Sequence, residues 1–434
     1  MKKIGIIGIW HQGAVAAACF AASGYDVVGM DSDQNKIAKL SAGEAPLFEP
    51  TLDSELAKSL EAGNLHFTTS FASVKDCGVV CLMHDTPVDD HDRADITIVL
   101  EDCSSIVPHL MQDALIIVTA QVPVGTCAFL SETISKSRPE LRFQLGYVPE
   151  NLRLGNALHL FRNPALPVIG ADDEQTFESI KDLYRPITSS VWSRASVKTA
   201  EMTKHALNAF LGMSIAFGNE VGRICDIVSA DGSKVAEMLK LDPRISSKAP
   251  LSPGLGFSGG TIARDIQALR TLGHEHGKDV QLLDGLWESN ASQNTIPLQI
   301  LQKICGKLKG KTIAVLGLTY KPGTSTLRRS LSLEIISSLS REGATINAHD
   351  PKADRNEVAA ADYFTFFDDV YEAVEGADAA LVITGWPDYK QLHIDTLKNR
   401  MKHPLLVDAN NFLDGQAYRT AGFTYIGIGR GMAP

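Results

Sequence analysis

The chain has 434 residues, of which 44% are hydrophobic and 21% charged, and its formal net charge is −10. This composition is typical of a soluble globular protein of two or three domains. The acidic balance without a basic stripe argues against nucleic-acid binding, and no segment has the ~18 consecutive apolar residues of a membrane span. Seven cysteines without a CxxC pair are expected to be free thiols in a reducing cytoplasm.

The N-terminal residues 3–31 predict a strand, an alanine-rich helix and a second strand, which is the start of a dinucleotide-binding domain. The first turn reads Gly8-Ile9-Trp10-His11-Gln12-Gly13, so Trp10 stands where the GxGxxG fingerprint has its second glycine. That glycine normally lets the backbone approach the pyrophosphate, so we expect Trp10 to weaken or reshape cofactor binding. Asp31 lies where a ribose-binding acid is expected and favours NAD over NADP. The alternative is a nucleotide-free domain of the same fold.

Three further predicted strands each end in a polar cluster: Asp85-Thr86-Pro87, Gln121–Thr126 and Pro149-Glu150-Asn151. In a doubly wound sheet, ligands bind outside the carboxyl ends of the strands. Glu150 is therefore a candidate site carboxylate. An ordinary acid at a helix N-terminus, stabilised there by the helix dipole, is the alternative interpretation.

The central part predicts one long helix from about Ala195 to Ser229, with apolar residues at spacings of three and four. Such a helix favours a domain connector or a dimer interface. Lys204 and Asn208 are four residues apart and share a face, on which they could serve an alcohol or carbonyl substrate. A solvated lysine beside a surface asparagine is the alternative.

Between Gly254 and Asp265 the sequence carries four glycines, an aromatic residue, and then a hydroxyl, a cation and a carboxylate. Glycine is favoured where the backbone takes a positive φ or approaches another group closely. The stretch predicts a substrate loop whose amides and side chains converge on a ligand. A flexible connection between helices is the alternative.

The last third predicts a second strand–helix–strand start from about Gly310, and its Lys321 and Arg328 form a cationic pocket suited to a diphosphate. The predicted fold class is α/β, with two Rossmann-like doubly wound domains joined by a central helical domain that contains the long helix. The predicted boundaries are 1–194 for the NAD-binding domain, 195–300 for the central domain and 301–434 for the nucleotide-sugar-binding domain.

Together these features resemble the UDP-glucose/GDP-mannose dehydrogenase family over nearly the whole chain. The likeness rests on many short motifs in order: Leu47–Pro50, Val122–Thr126, Pro149-Glu150, Lys204–Phe210, Asn219-Glu220, Gly254–Phe257, Val315–Pro322, His349–Pro351 and Val407-Asp408. The resemblance implies oxidation of the C6 primary alcohol of a UDP- or GDP-linked sugar to a carboxylate, with NAD as cofactor. It also implies a homodimer formed through the central helix.

By this resemblance, Lys204 and Asn208 act at the sugar C6, Glu150 positions or activates water, and Asp265 supports the site. The implied cofactor contacts are Gly8, Trp10, Gly13, Asp31, Lys36, Thr86, Gln121, Arg264 and Arg328. The implied substrate contacts are Arg244, often supplied by the other subunit in this family, together with Phe257, Gly259 and Lys321. No metal is expected.

The departures from the family pattern concentrate at the chemistry. Thr261 stands at the position of the family's cysteine, whose thiolate can add to the C6 aldehyde before the second hydride leaves. An alcohol is a far poorer nucleophile, so we expect an altered outcome, either one oxidation that ends at the aldehyde or a redox-neutral change. Further departures occur at other positions: Trp10, Gln121, Ala263, Arg264 and Asn410.

Three alternatives remain open at this point. An aldehyde hydrate could give up a second hydride without a thiol, which would permit the full four-electron oxidation. A non-catalytic nucleotide-sugar-binding protein of the same fold would also accommodate the changes at Trp10, Gln121 and Thr261. A hydroxyacid dehydrogenase shares the first two domains but has no need of the last third.

Overall fold

The computed structural model describes residues 3–89, 93–258 and 261–431, and it divides the chain into two compact units, residues 1–206 and 207–434. The predicted fold class is confirmed, because two parallel sheets of Rossmann type flank a helical region in the chain. The division between the two units falls inside a continuous helix. The three domain boundaries predicted above are a finer division and stay a prediction.

An eight-stranded sheet forms the centre of the first unit. Its strands are β1 (Lys3–Ile7), β2 (Asp26–Met30), β3 (Leu65–Thr68), β4 (Val79–Leu82), β5 (Ala114–Val118), β6 (Phe143–Tyr147), β7 (Val168–Gly170) and β8 (Ser193–Ala195). The order is β3-β2-β1-β4-β5-β6-β7-β8, and only the β6–β7 pair among these strands is antiparallel. Ile6 and Ile7 pack into separate hydrophobic clusters, as the alternation of side chains along a doubly covered strand requires.

Helices cover both faces of this sheet. Their bounds are α1 (His11–Ala22), α2 (Gln34–Ser41), α3 (Leu52–Glu61), α4 (Thr97–Ile106), α5 (Thr126–Ser137), α6 (Ala157–Arg162), α7 (Glu174–Tyr184) and α8 (Val197–Val228). Helix α8 is the predicted long helix and continues into the second unit.

A six-stranded, fully parallel sheet forms the centre of the second unit. Its strands are β9 (Thr312–Leu316), β10 (Thr345–His349), β11 (Thr365–Phe366), β12 (Ala379–Val382), β13 (Leu405–Asp408) and β14 (Thr424–Gly427), in the order β11-β10-β9-β12-β13-β14. The helices are α9 (Gly232–Leu239), α10 (Ile262–Glu275), α11 (Gln281–Gln293), α12 (Ile296–Cys305), α13 (Leu331–Arg341), α14 (Arg355–Ala359), α15 (Val370–Ala373), α16 (Ile394–Arg400) and α17 (Gly415–Thr420).

The predicted strands end slightly too late. The apolar runs in the sequence predict strands over residues 3–9, 79–83, 114–119 and 143–148, whereas the strands end at Ile7, Leu82, Val118 and Tyr147. The backbone N–H groups of Met83, Thr119 and Val148 still donate to the neighbouring strands, and the polar clusters follow at the carboxyl edge of the sheet. In both sheets the chain reverses direction across the sheet at the first strand, between β1 and β4 and between β9 and β12. This switch point is where ligands bind in open α/β sheets.

Two helical glycines provide a matched test of the first turn. A Cβ on Gly13 in α1 would lie 2.1 Å from the carbonyl oxygen of Gly8, whereas a Cβ on Gly285 in α11 would meet no heavy atom within 4 Å. We expect Gly13→Ala to destabilise the protein by about 2 kcal/mol or more, because the turn must open.

The control, Gly285→Ala, should stabilise the protein by about 0.5–1 kcal/mol, since alanine is the better helix former. Urea denaturation followed by circular dichroism measures both changes. A Gly13→Ala protein as stable as the wild type would contradict the close approach of α1 to β1.

Candidate functional site

The turn between β1 and α1 keeps the backbone geometry of a dinucleotide site despite Trp10. Gly8 has φ +88°, a conformation that favours glycine, and Gly13 lies against its carbonyl group. Trp10 precedes the first residue of α1, and its side chain is 41% exposed. The Nζ atom of Lys36 lies 5.8 Å from the centre of the indole ring. The turn and the helix N-terminus therefore fit a pyrophosphate group.

The structure brings Asp31 and Lys36 together at the end of β2. The Oδ2 atom of Asp31 accepts hydrogen bonds from the backbone N–H of Ile9 at 3.1 Å and from Nζ of Lys36 at 2.6 Å. Its Oδ1 atom accepts one from the backbone N–H of Asp33 at 3.0 Å. A carboxylate oxygen can accept more than one hydrogen bond, so Oδ1 has capacity for a ribose hydroxyl. These residues fit the adenosine half of NAD.

Thr86 and Gln121 also lie together, after the neighbouring strands β4 and β5. The hydroxyl of Thr86 donates a hydrogen bond of 2.6 Å to the backbone carbonyl of Gln121, and both residues are buried. The polar clusters predicted after these two strands thus meet at the carboxyl edge of the sheet.

A buried histidine–aspartate pair, His84 and Asp102, lies beneath the turn and was not identified from the sequence. Nε2 of His84 lies 3.4 Å from a carboxylate oxygen of Asp102, and a Cβ on Gly8 would meet the imidazole at 2.6 Å. Burial lowers the pKa of His84 to about 4, so the imidazole is neutral near pH 7. Burial, together with the nearby charge of Asp31, raises the pKa of Asp102 to about 6. No local sequence pattern predicts that His84, just after β4, contacts Asp102, which lies 18 residues later in α4.

Lys204 is buried in α8 with only 3% of its surface exposed. Its Nζ atom donates a hydrogen bond of 3.1 Å to Oδ1 of Asn151 and lies 3.8 Å from Oε2 of Glu150. The interpretation of Lys204 as a solvated side chain is therefore wrong. A buried amine beside a carboxylate is suited to proton transfer. Asn151, which our sequence reasoning did not select, also carries a buried Nδ2 group without a hydrogen-bond partner among the described residues.

Glu150 does not begin a helix, so its interpretation as a helix N-terminal acid is also wrong. It follows β6 in a loop, where one carboxylate oxygen accepts a hydrogen bond from the backbone N–H of Leu152. The loop continues to α6, which begins at Ala157. The carboxylate of Glu150 is thus oriented by its own loop and faces Lys204.

Two neighbours of Lys204 fix the first turns of α8 to the loop after β5. Glu201 is fully buried and accepts hydrogen bonds from the backbone N–H groups of Gly125 at 2.7 Å and Cys127 at 3.0 Å. A ring nitrogen of His205 is hydrogen-bonded to the carbonyl of Val122 at 2.9 Å. The position of Lys204 is therefore determined by the loop that also carries Gln121.

In the second unit the structure pairs Asn208 with Asp265. Asn208 is buried in α8, and its side-chain N–H donates a hydrogen bond to the carboxylate of Asp265, which has no exposed surface. A surface position for Asn208 is therefore wrong. Asp265 lies in the first turn of α10, where the helix dipole favours a negative charge. Arg264 beside it is buried, and Thr261 directly before α10 is exposed.

The remaining predicted substrate and cofactor residues of the second unit have different surroundings. The ring of Phe257 is packed in a hydrophobic cluster with Ala209, Ile266 and others, so it is a poor candidate for direct ligand contact. Arg244 is exposed and ion-paired with Asp242 at 2.7 Å. Lys321 and the exposed Arg328 lie in the connection from β9 to α13. Gly259 lies outside the described residues.

Within residues 3–89, 93–258 and 261–431, His, Cys, Asp and Glu side chains form no group of three or more that could hold a metal ion. In the same ranges no helix combines the length and apolar character needed to cross a membrane.

Comparison with known proteins gives matches along the whole chain. Residues 2–188 match the NAD binding domain of the UDP-glucose/GDP-mannose dehydrogenase family, residues 198–292 its central domain and residues 314–415 its UDP binding domain. The chain is 34% identical to the UDP-glucose 6-dehydrogenase TuaD of Bacillus subtilis over 433 residues, which is 99% of this chain and 94% of that protein. It is 33% identical to a UDP-glucose 6-dehydrogenase of Pseudomonas aeruginosa over 446 residues, covering 99% and 98%.

A solved structure gives the same result for the fold. The UDP-glucose dehydrogenase of the hyperthermophilic archaeon Pyrobaculum islandicum matches with a TM-score of 0.91 at 28% identity, covering 99% of this chain and 98% of that one. Sequence and fold agree from end to end, including the order of the three matched domains. The chain belongs to the UDP-glucose/GDP-mannose dehydrogenase family.

Proposed function

We propose that this chain is an NAD-dependent oxidoreductase acting on the C6 primary alcohol of a UDP- or GDP-linked hexose. The observation that carries the proposal is the buried Lys204, held by Asn151 and facing Glu150, in a chain that matches an NAD binding domain and a UDP binding domain. Because both relatives named above are UDP-glucose 6-dehydrogenases, UDP-glucose is the first substrate to test.

The groups proposed for the reaction lie on α8 and at the carboxyl ends of strands in the first sheet. In the first unit, Gly8, Gly13, Asp31 and Lys36 hold the cofactor, and the pair of Lys204 and Glu150 takes up the proton of the alcohol. NAD held by these residues would supply the hydride acceptor for oxidation at C6. Asn208 follows Lys204 by about one turn of α8, and we propose that its carboxamide, fixed by Asp265, orients the substrate oxygen. Fixed donors of this kind stabilise charge that develops on oxygen during the reaction.

We further propose that the reaction releases the aldehyde after one oxidation. Thr261 offers a hydroxyl where the family's loop has a thiol, and no cysteine occurs between Gly254 and Asp265. Burial raises the pKa of six of the seven thiols, which lowers their thiolate fraction (Cys19, Cys77, Cys81, Cys103, Cys127 and Cys305). The names of the relatives favour a second candidate, the complete oxidation to the uronate through an aldehyde hydrate.

A product assay distinguishes these outcomes. Purified protein with NAD and UDP-glucose should give the C6 aldehyde and one NADH per sugar, measured by mass spectrometry and absorbance at 340 nm. Thr261→Cys should shift the products toward the acid with two NADH per sugar, because a thiol can then form the adduct from which the second hydride leaves. Two NADH per sugar from the wild type would contradict the single oxidation. Binding of UDP-glucose without any turnover, in UDP- and GDP-sugar panels alike, would contradict the enzyme proposal.

The role of Lys204 has its own test. Lys204→Met keeps the length of the side chain but removes the amine, and we expect kcat to fall by about 10²–10⁴-fold, the usual contribution of a positioned acid or base. The exposed Lys198 on the same helix provides the control, and Lys198→Met should retain the wild-type rate. Steady-state NADH formation measures both. Equal rates for the Lys204 and Lys198 variants would overturn the assignment.

We also propose that α8 forms a homodimer interface. Phe210, Phe217 and Ile224 recur every seven residues on this helix, and they are 60%, 52% and 56% exposed. Residues seven apart lie on one side of a helix, so these side chains form a continuous apolar stripe. We propose that the stripe packs against the same stripe of a second subunit, because a two-fold interface brings together the same patch from both subunits. A dimer would also cover part of the apolar surface on α9 that follows.

Charge placed in the stripe should separate the subunits. We expect the double variant Phe217→Asp and Ile224→Asp to sediment as a monomer of about half the wild-type mass, since two carboxylates per subunit would be buried without partners. Val191→Asp, which changes an apolar residue that is 87% exposed in the first unit, should leave the dimer intact. Analytical ultracentrifugation is the measurement. A wild-type monomer, or a dimer that persists in the double variant, would contradict this interface.

A further inference from the structure

The first half of the glycine stretch is held by side-chain carboxamides. Oδ1 of Asn219 accepts a hydrogen bond from Gly254 N–H at 2.8 Å, and its Nδ2 donates to the carbonyl of Leu255 at 3.1 Å. Oδ1 of Asn290 accepts from Phe257 N–H at 2.8 Å, and its Nδ2 donates to the carbonyl of the same residue at 3.0 Å. Both residues therefore bind the loop through both ends of their amide groups.

Four more carboxamides complete this set. Oδ1 of Asn294 accepts from Gly256 N–H at 3.2 Å, and Oδ1 of Asn410 accepts from Leu255 N–H at 3.5 Å. Nε2 of Gln293 donates to the carbonyl of Gly254 at 2.6 Å. Nδ2 of Asn411 donates to the carbonyl of Pro253 at 2.9 Å. We call the six residues the carboxamide frame: Asn219, Asn290, Gln293, Asn294, Asn410 and Asn411.

The carboxamide frame comes from three separate parts of the second unit. One member lies on α8, three lie at or just after the end of α11, and two directly follow β13. Gln293 is itself held by a hydrogen bond from the guanidinium of Arg223. Because these elements are distant in sequence, the loop can take this path only when they are all in place.

The glycines of this half serve close approach rather than an unusual backbone conformation. Neither Gly254 nor Gly256 has a positive φ. A Cβ on Gly256 would lie 2.4 Å from Oδ1 of Asn290 and 2.5 Å from Oδ1 of Asn294. These distances are far below van der Waals contact, so any larger residue at position 256 would displace the carboxamides.

The frame also determines which part of the stretch is free to bind a ligand. All four backbone N–H groups of residues 254–257 donate to the carboxamide frame, and the ring of Phe257 is packed in the core. These N–H groups are therefore committed within the protein. Among the described residues that follow, Ser258 is partly exposed and Thr261 is exposed, so contacts with a ligand are left to this later half of the stretch.

We propose that the carboxamide frame is a positioning device that fixes residues 253–257 before substrate binds and thereby positions the partly exposed Ser258 and the exposed Thr261 for contact with the sugar. Asn290 is its principal residue, because it bonds both polar backbone groups of the last fixed position. Carboxamides do not titrate, so the support is independent of pH. The inference rests on the proposed function for the identity of the ligand, but the order of the loop in the ligand-free protein does not depend on it.

The test replaces Asn290 by aspartate, which keeps the size but places a carboxylate oxygen against the carbonyl of Phe257. We expect Asn290→Asp to raise KM for UDP-glucose by about tenfold or more, while the Kd values for UDP alone and for NAD change less than twofold. Amide hydrogen exchange at residues 254–257 should become at least tenfold faster in the ligand-free variant. Gln281→Glu makes the same change of charge at an exposed position of α11 and should behave as the wild type.

Three results would overturn the positioning role of the carboxamide frame, and a fourth would separate it from the proposed function. Wild-type KM and wild-type exchange in Asn290→Asp would overturn the positioning role. Equal loss of UDP and NAD binding would also overturn it, by showing a general structural role. If Asn290→Asp does not fold, Asn294→Ser decides, since it removes only the bond to Gly256 and should raise KM about threefold with faster exchange at that amide; unchanged values would overturn the proposal. A wild-type protein that binds no UDP-glucose but has protected amides at 254–257 would refute the proposed function and leave the fixed loop established.

Discussion

The same type of hydrogen bond fixes the turn after the first strand in both sheets. In each, a carboxylate at the end of the second strand accepts a bond from the backbone N–H just after the first strand, from Ile9 to Asp31 and from Leu318 to Asp350. This bond fixes the turn at the switch point of the sheet, where a ligand would bind. The two carboxylates differ in their remaining hydrogen-bond donors, and this difference affects whether each can bind a ligand.

Asp350 is satisfied by the protein itself. Its Oδ2 atom accepts additional bonds from the backbone and hydroxyl of Thr319 and from the indole of Trp386, and its Oδ1 accepts one from Lys352. Asp31 has fewer donors among the described residues, and one of them is the side-chain ammonium of Lys36. The first sheet therefore retains a carboxylate that can exchange partners with a ribose, whereas the second uses its carboxylate as a structural support. This difference agrees with the separate family matches of the two parts, one to an NAD binding domain and one to a UDP binding domain.

The elements were largely predictable from the sequence because each depends on local patterns. Apolar runs followed by polar clusters gave β1, β4, β5 and β6 to within two residues, and the spacing of apolar residues gave α8. The burial of Lys204 and Asn208 was not predictable, because a lysine and an asparagine four residues apart also suit a surface. Their partners, Asn151 and Asp265, lie 53 and 57 residues away.

The carboxamide frame was even less predictable from the sequence than the burial of Lys204 and Asn208. Its members extend from position 219 to position 411, and asparagine on its own is common in turns and at helix ends, so no local pattern distinguishes them. The glycine stretch was interpreted as a substrate loop whose amides and side chains converge on a ligand, but the amides of residues 254–257 donate to the protein's own carboxamides instead. The backbone geometry of the first turn depends on Gly8 and Gly13, which both remain, and the expected effect of Trp10 on cofactor binding stays a prediction.

The outcome of the proposed reaction depends on how a tetrahedral carbon is formed after the first oxidation. An aldehyde carbon cannot lose a hydride to give an acid until a nucleophile has added to it, and water is the nucleophile that remains where the loop has no thiol. Addition of water needs a base that accepts its proton. The pair of Lys204 and Glu150, which takes up the alcohol proton in the first step, would have to return that proton to solvent before it could serve again. Glu150 is partly exposed and Lys204 is not, so proton exchange with solvent would pass through the carboxylate. In the proposed reaction, the product therefore depends on whether this return of the proton is faster than release of the aldehyde, because Thr261 offers no thiol as an alternative nucleophile.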